Sequence, residues 1–336
     1  MKPLYSGAGP KIVVIGGGTG LSVLLRGLKN ISDNLAAVVT MADDGGGSGM
    51  LREDLGMLPP GDVRSCLLAL ADMEKDFGDL MQYRFSEGML EGQNIGNLIL
   101  AALTYMAGSF EEGLEKAHDI FRIKGRVIPV TCHEITLCAR LSGGTTVRGE
   151  SNIPKTVLAG EGKIEKVFLE PLDVQSIYQA RKAIAEAEVV VIGPGSLYTS
   201  LIPNFLVGGI VEELQKTNVP KILICNMMTQ PGETDGFTVT DHIMEVEKYL
   251  GDVKINYVMV NSTKLEEEVT KRYAKNEKRA VQVMLCEGEK EQIEGRGIRV
   301  VRGHFSEVKL GYIRHNAEEL STKILGILRE REDGIS

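Results

Sequence analysis

An apolar, β-branched run over residues 11–15 stops abruptly at Gly16-Gly17-Gly18-Thr19-Gly20, and residues 21–28 then repeat their apolar side chains at helical spacing. This order of strand, glycine loop and helix constrains the fold more than any other feature of the chain. The unit recurs. Residues 35–41 read as a second strand, ending at Asp43-Asp44-Gly45-Gly46-Gly47-Ser48-Gly49. Residues 189–192 read as a buried strand that runs into Gly193-Pro194-Gly195-Ser196. Further apolar strands are expected at 221–225 and 255–260, and helices at 62–73, 96–106 and 173–187. Pro59-Pro60-Gly61 marks the start of the first of these helices.

Apolar strands alternating with helices pack as an α/β fold with a doubly wound, mostly parallel sheet of Rossmann-like type. Ligands of such sheets bind beyond the carboxyl ends of the strands, where each of these glycine loops lies. Residues 126–171 follow another pattern. Short alternating stretches at 135–141 and 163–169, split by Gly-Gly and Asn, predict a small antiparallel hairpin insert. The 336 residues, 43% hydrophobic, suffice for one large core. A single domain over 11–320 is expected, with a C-terminal helix and tail at 321–336.

Composition narrows the function. A net charge of -8 repels phosphate backbones, which argues against broad nucleic-acid binding. Trp is absent and aromatics are 5%, too few for a base-stacking platform. No apolar run reaches the roughly 20 residues of a membrane span, and residues 1–10 hold no apolar signal-peptide core. Five scattered Cys without a CxxC pair imply free thiols in a reducing compartment, hence a cytoplasmic protein. Cys132-His133-Glu134 lacks correctly spaced metal partners.

The loops carry the chemistry. The first, Gly16 to Gly20, offers backbone N–H groups at a helix N-terminus, where an anion is favoured. Leu21 breaks the dinucleotide-binding GxGxxG, and no Gly-Lys-Ser/Thr follows, so neither that fingerprint nor a P-loop is met. The alternative is a tight turn. In the second loop, Asp43 and Asp44 could bind Mg²⁺, accept a ribose hydroxyl or act as a base, or could simply form an Asp-Gly turn. Residues 46–49 could wrap a phosphate oxygen. In the third loop Ser196 is a phosphate donor or an N-cap, since the nucleophile elbow G-x-S-x-G is not met. Asn226, Thr229 and Asp235, after the next strand, read as capping groups or ligand contacts.

Together the loops resemble a known family. Gly16-Gly17-Gly18-Thr19-Gly20, Met41-Ala42-Asp43-Asp44-Gly45-Gly46, Leu58-Pro59-Pro60-Gly61-Asp62-Val63-Arg64, Gly96-Asn97-Leu98, Gly193-Pro194-Gly195-Ser196-Leu197-Tyr198 and Tyr312-Ile313-Arg314-His315 are similar to the gluconeogenesis factor (YvcK-like) family of the CofD-like group. The resemblance runs from Lys11 to about Leu320. It implies a Rossmann-like core that binds a uridine diphosphate sugar. It also implies a regulatory role in cell shape and cell-wall synthesis during gluconeogenic growth, with cell-wall synthesis proteins as partners and a homo-oligomeric state. The implied ligand contacts are Gly17, Gly18, Thr19, Gly20, Asp43, Asp44, Gly46, Ser48, Arg52, Asn97, Gly195, Ser196, Tyr273 and Arg314, with Mg²⁺ at Asp43 and Asp44 if a metal is used. The same group contains 2-phospho-lactate transferase, which takes a guanosine diphosphate-linked donor, so the rival expectation is a phospholactyl or phosphoryl transferase. A related dinucleotide is a further ligand class, with an NAD-binding role disfavoured by the broken fingerprint. The sequence departs from the family at Gly47, where Ser is common, at Met50, where a basic residue is common, and at Gln93, where His is frequent. Ala317 stands where family members can carry a phosphorylated Thr, so that switch is expected to be missing.

Overall fold

The computed structural model describes residues 7–269, 279–309, 312–332 and 334. Among them, seven strands form one parallel sheet in the order β10-β9-β8-β7-β1-β2-β3. These are β1 (Ile12–Gly16), β2 (Leu35–Val39), β3 (Arg126–Pro129), β7 (Val189–Ile192), β8 (Lys221–Ile224), β9 (Tyr257–Asn261) and β10 (Arg299–Gly303). β1 pairs in register with β2 on one side (Ile12 with Leu35) and with β7 on the other (Ile12 with Val189). Every residue of β1, β2 and β7 is buried, as strands covered on both faces require.

The chain therefore winds outward from β1 through β2 to β3, and then in the opposite direction from β7 to β10. The order reverses between β1 and β7, which opens a crevice beyond the carboxyl ends of these two strands. Helix α1 (Gly18–Leu28) leaves β1 at this point, α2 (Gly46–Leu55) follows β2, and α3 (Gly61–Leu70) packs beside α1. Farther along are α4 (Lys75–Gln82), α5 (Ile95–Ala107) and α6 (Phe110–Ile120). The C-terminal helix, Ala317–Glu332, lies against α1. It begins four residues before the sequence pattern places it.

Three further departures have physical reasons. β3 is the edge strand of the main sheet and not part of the insert; Arg126 and Pro129 flank Val127 and Ile128, so the strand shows no continuous apolar run. The antiparallel sheet holds only β4 (Thr136–Leu141), β5 (Thr146–Arg148) and β6 (Ile164–Glu170), in the order β5-β4-β6. Within the stretch 173–187 only Tyr178–Glu186 is α-helical, because Gln175 bridges to Gly208 in a parallel pairing that keeps the preceding chain extended. Lastly, an antiparallel hairpin of β11 (Ser306–Lys309) and β12 (Tyr312–His315) precedes the C-terminal helix and sits beside α1. Ile313 anchors it in a small apolar cluster with Met227, Met228 and Ala280.

Candidate functional site

The crevice between β1 and β7 holds a cavity of 240 Å³. Gly18, Thr19 and Gly20 reach it from the start of α1, Gly195 and Ser196 from the loop after β7, and Asn226 and Gln230 from the loop after β8. Arg314 and His315 enter from β12, so the C-terminal hairpin forms a wall of the same cavity. Thr19 and Gly20 belong to a first helical turn, whose N–H groups have no acceptors within the helix. With a guanidinium opposite them, the cavity presents the donor set of an anion site.

The two glycine loops are fitted into each other. A Cβ on Gly20 would stand 2.9 Å from the Pro194 carbonyl oxygen, and one on Gly195 would stand 3.0 Å from the Gly17 carbonyl oxygen. Both positions serve loop-on-loop contact as well as the cavity. Amides hold the third loop: Asn226 Nδ2 donates to the Gly195 carbonyl at 2.9 Å, Gln230 Nε2 donates to Ser196 Oγ, and the Leu197 N–H donates to Gln230 Oε1 at 3.2 Å. Thr229 accepts from the Val281 N–H and Asp235 from the Gly232 N–H, which makes these two groups turn-forming. His315 is kept neutral: burial, with a smaller push from Arg314, lowers its pKa to about 4, and its Nε2 has no hydrogen-bond partner among the described residues.

The second loop lines this cavity with none of its residues. Asp43 Oδ1 accepts from the Gly45 N–H at 2.9 Å, turning the chain into α2. Asp44 Oδ1 accepts from the Ser151 N–H at 2.9 Å and so ties this loop to the insert. Gly46 opens α2 at φ +48°. Ser48 is buried against the start of α3. Arg52 points to the insert, where it meets Glu134 at 3.4 Å and Thr136 Oγ1 at 3.3 Å. Asn97 is buried in the first turn of α5, its N–H capped by Asn94 Oδ1 at 3.2 Å. Tyr273 lies outside the described residues.

Three acids gather here that the sequence reading did not single out. The Asp62 carboxyl accepts from the Gly18 N–H at 2.8 Å; burial, reinforced by Asp43, pushes its pKa up to about 7. Burial does the same to Glu150, raised to about 8 with help from Asp43, Asp44 and Glu233. Glu233 is raised to about 7, again by burial, against the bonds it accepts from Tyr198 N–H and Thr199 Oγ1. Asp62 had a local signal, an acid in the first turn after Pro-Pro-Gly. Glu150 and Glu233 are brought in from the insert and from the loop after β8, which no local pattern shows. Among the described residues, no three His, Cys, Asp or Glu side chains are grouped so as to hold a metal ion.

The sequence profile described as 2-phospho-L-lactate transferase CofD matches residues 12–306. The chain belongs to the CofD family. Within the family it stands with the gluconeogenesis factors. The gluconeogenesis factor of Bacillus subtilis is 40% identical over 96% of this chain and 100% of its own length. That of Halalkalibacterium halodurans is 42% identical over 94% of this chain and 95% of its own. A crystal structure of a Bacillus halodurans protein superposes with a TM-score of 0.87 at 42% identity, covering 94% of this chain and 99% of that one. Both the parallel sheet and the small antiparallel sheet lie within the residues matched by the family profile. No helix among its described residues is long and apolar enough to cross a membrane.

Proposed function

We propose that this chain is a regulatory binding protein that holds a nucleotide sugar in the β1/β7 crevice. The diphosphate lies against Thr19, Gly20, Ser196 and Arg314. One observation carries the reading: Arg314, nearly three hundred residues after the first loop, lines the same cavity as Gly18–Gly20 and Gly195–Ser196. Helix N–H groups and a guanidinium together complement a diphosphate, which neither does alone. The amides of Asn226 and Gln230 add orienting polar groups. In this reading the protein is a cytoplasmic homo-oligomer that couples carbon status to cell-wall synthesis and cell shape through cell-wall synthesis proteins; the relatives named gluconeogenesis factors support the link to carbon status. Mg²⁺, in this reading, arrives with the ligand, since it takes one or two carboxylates together with phosphate oxygens.

Titration calorimetry of uridine diphosphate glucose, guanosine diphosphate and NAD into the full chain tests the proposal. The uridine diphosphate sugar should bind in the micromolar range, about -8 kcal/mol, and mass spectrometry should recover it unchanged. A second reading, transfer chemistry, is favoured by Asp62, Glu150 and Glu233, whose carboxyls are held near neutral pKa values suited to proton transfer. Saturable conversion of the nucleotide sugar into new products would establish that reading and remove the purely regulatory one.

A further inference from the structure

Beside the crevice, between α1, α3 and the β11–β12 hairpin, lies a second cavity of 560 Å³. Its wall carries four cations, Arg26, Arg64, Lys309 and Arg314, and one carboxylate, Glu307. Glu307 pairs with Lys309 at 2.7 Å. Four positive charges against one negative leave an excess of three.

Arg26 has an ordinary explanation, since it stands in the last turn of α1, where the helix dipole favours a cation. Arg64 does not. It stands in the first turn of α3, where the dipole opposes a cation, and its Nε is buried without a hydrogen-bond partner among the described residues. Arg84 repels it, Asp62 and Asp43 attract it, and the Asp62 carboxyl is already engaged with the Gly18 N–H. The chain also makes room for it. A Cβ on Gly96 would come 2.6 Å from the Met81 carbonyl oxygen and 2.7 Å from Arg64 Cδ, so the glycine of Gly96-Asn97-Leu98 lets both the backbone and the guanidinium stem pass. A half-buried arginine on the wall of a cavity with surplus positive charge, kept against the helix dipole, is what an anion would complete.

We propose that this cavity binds a second, multiply charged anion of the phosphate-ester class, distinct from the ligand of the crevice. Thr19, Val23 and Arg314 line both cavities, so the two ligands share one guanidinium and their affinities are coupled. The site goes beyond the nucleotide-sugar reading and does not depend on it.

The test is calorimetry of inorganic pyrophosphate into the full chain, Mg²⁺-free, with the Arg26→Ala/Lys309→Ala and Ser196→Ala variants alongside. Arg26 and Lys309 are exposed enough for their removal to leave the fold intact. The pair of substitutions should weaken one pyrophosphate site at least tenfold, while Ser196→Ala leaves that site within twofold. No saturable binding, or binding indifferent to Arg26 and Lys309, overturns the proposal. It is also overturned if saturating uridine diphosphate glucose abolishes this site while the double variant weakens the nucleotide sugar equally, for the cavity is then an arm of the crevice. An Arg26-dependent pyrophosphate site in a chain that binds no nucleotide sugar sinks the proposed function alone.

Discussion

The N–H of Gly18 donates to Oδ2 of Asp62 at 2.8 Å, so the first donor of the glycine loop is taken by the protein's own carboxyl. A ligand phosphate must use the donors that follow, at Thr19 and Gly20. The carboxyl that does this is itself poised near neutrality, because burial and the neighbouring Asp43 oppose its ionisation more than the Gly18 bond favours it.

Asp62, Glu150 and Glu233 make ligand-free stability depend on pH. Their folded pKa values of about 7, 8 and 7 lie above the ordinary 3.8 and 4.5. Between those limits the folded chain holds protons that the unfolded chain has released, so stability falls as pH rises from about 4 to about 8, by up to ~1.4 kcal/mol per pH unit for each titrating group. Thermal melts should show a lower Tm at pH 8.5 than at pH 5.5, and an Asp62→Asn/Glu150→Gln variant should show a smaller drop. Equal slopes for variant and wild type would mean that these carboxyls are not perturbed.

Arg314→Ala should fold normally and lose tenfold to a hundredfold in nucleotide-sugar affinity, the roughly 1.5–3 kcal/mol of a charge-assisted contact. Arg314→Lys should restore only part of it, since an ammonium cannot make the bidentate clamp. Unchanged affinity in a well-folded Arg314→Ala protein would take this residue out of the site.

Two glycine substitutions separate packing from backbone conformation. Gly20→Ala drives a methyl to 2.9 Å from the Pro194 carbonyl and should cost about 1–3 kcal/mol in urea unfolding. Gly46→Ala meets no atom within 4 Å, but its φ of +48° should cost about 1 kcal/mol. The reverse ranking would contradict the fitted-loop arrangement.

Asp44→Ala should release the insert by removing the acceptor of the Ser151 N–H, seen as faster amide hydrogen exchange around Glu150 and Ser151. Asp43→Asn should leave those amides protected. It should also blunt any gain in nucleotide-sugar affinity on adding Mg²⁺, while a Mg²⁺ effect that survives in Asp43→Asn places the ion elsewhere.

The sheet was legible because its strands are buried on both faces and so read as unbroken apolar runs, as at Ile12–Gly16 and Val189–Ile192. The glycine loops were legible because they follow such runs directly. Arg126–Pro129 was misplaced because Arg126 and Pro129 leave only Val127 and Ile128 as an apolar signal, where Val189–Ile192 is apolar throughout. The β11–β12 hairpin was missed because its register, Ser306 with His315, buries little beyond Ile313. Arg314 was reached through resemblance, not through any local pattern. Glu150 and Glu233 come together only through tertiary contact, and a carboxyl whose pKa is set by burial has no signature in its neighbours along the chain.

The nesting of the first and third loops has a consequence for descent. A Cβ at Gly20 would meet the Pro194 backbone and one at Gly195 the Gly17 carbonyl oxygen, so neither glycine can acquire a side chain while the facing loop stays as it is. Two segments nearly two hundred positions apart must therefore be inherited as one unit. A lineage could alter this junction only by changing both loops together.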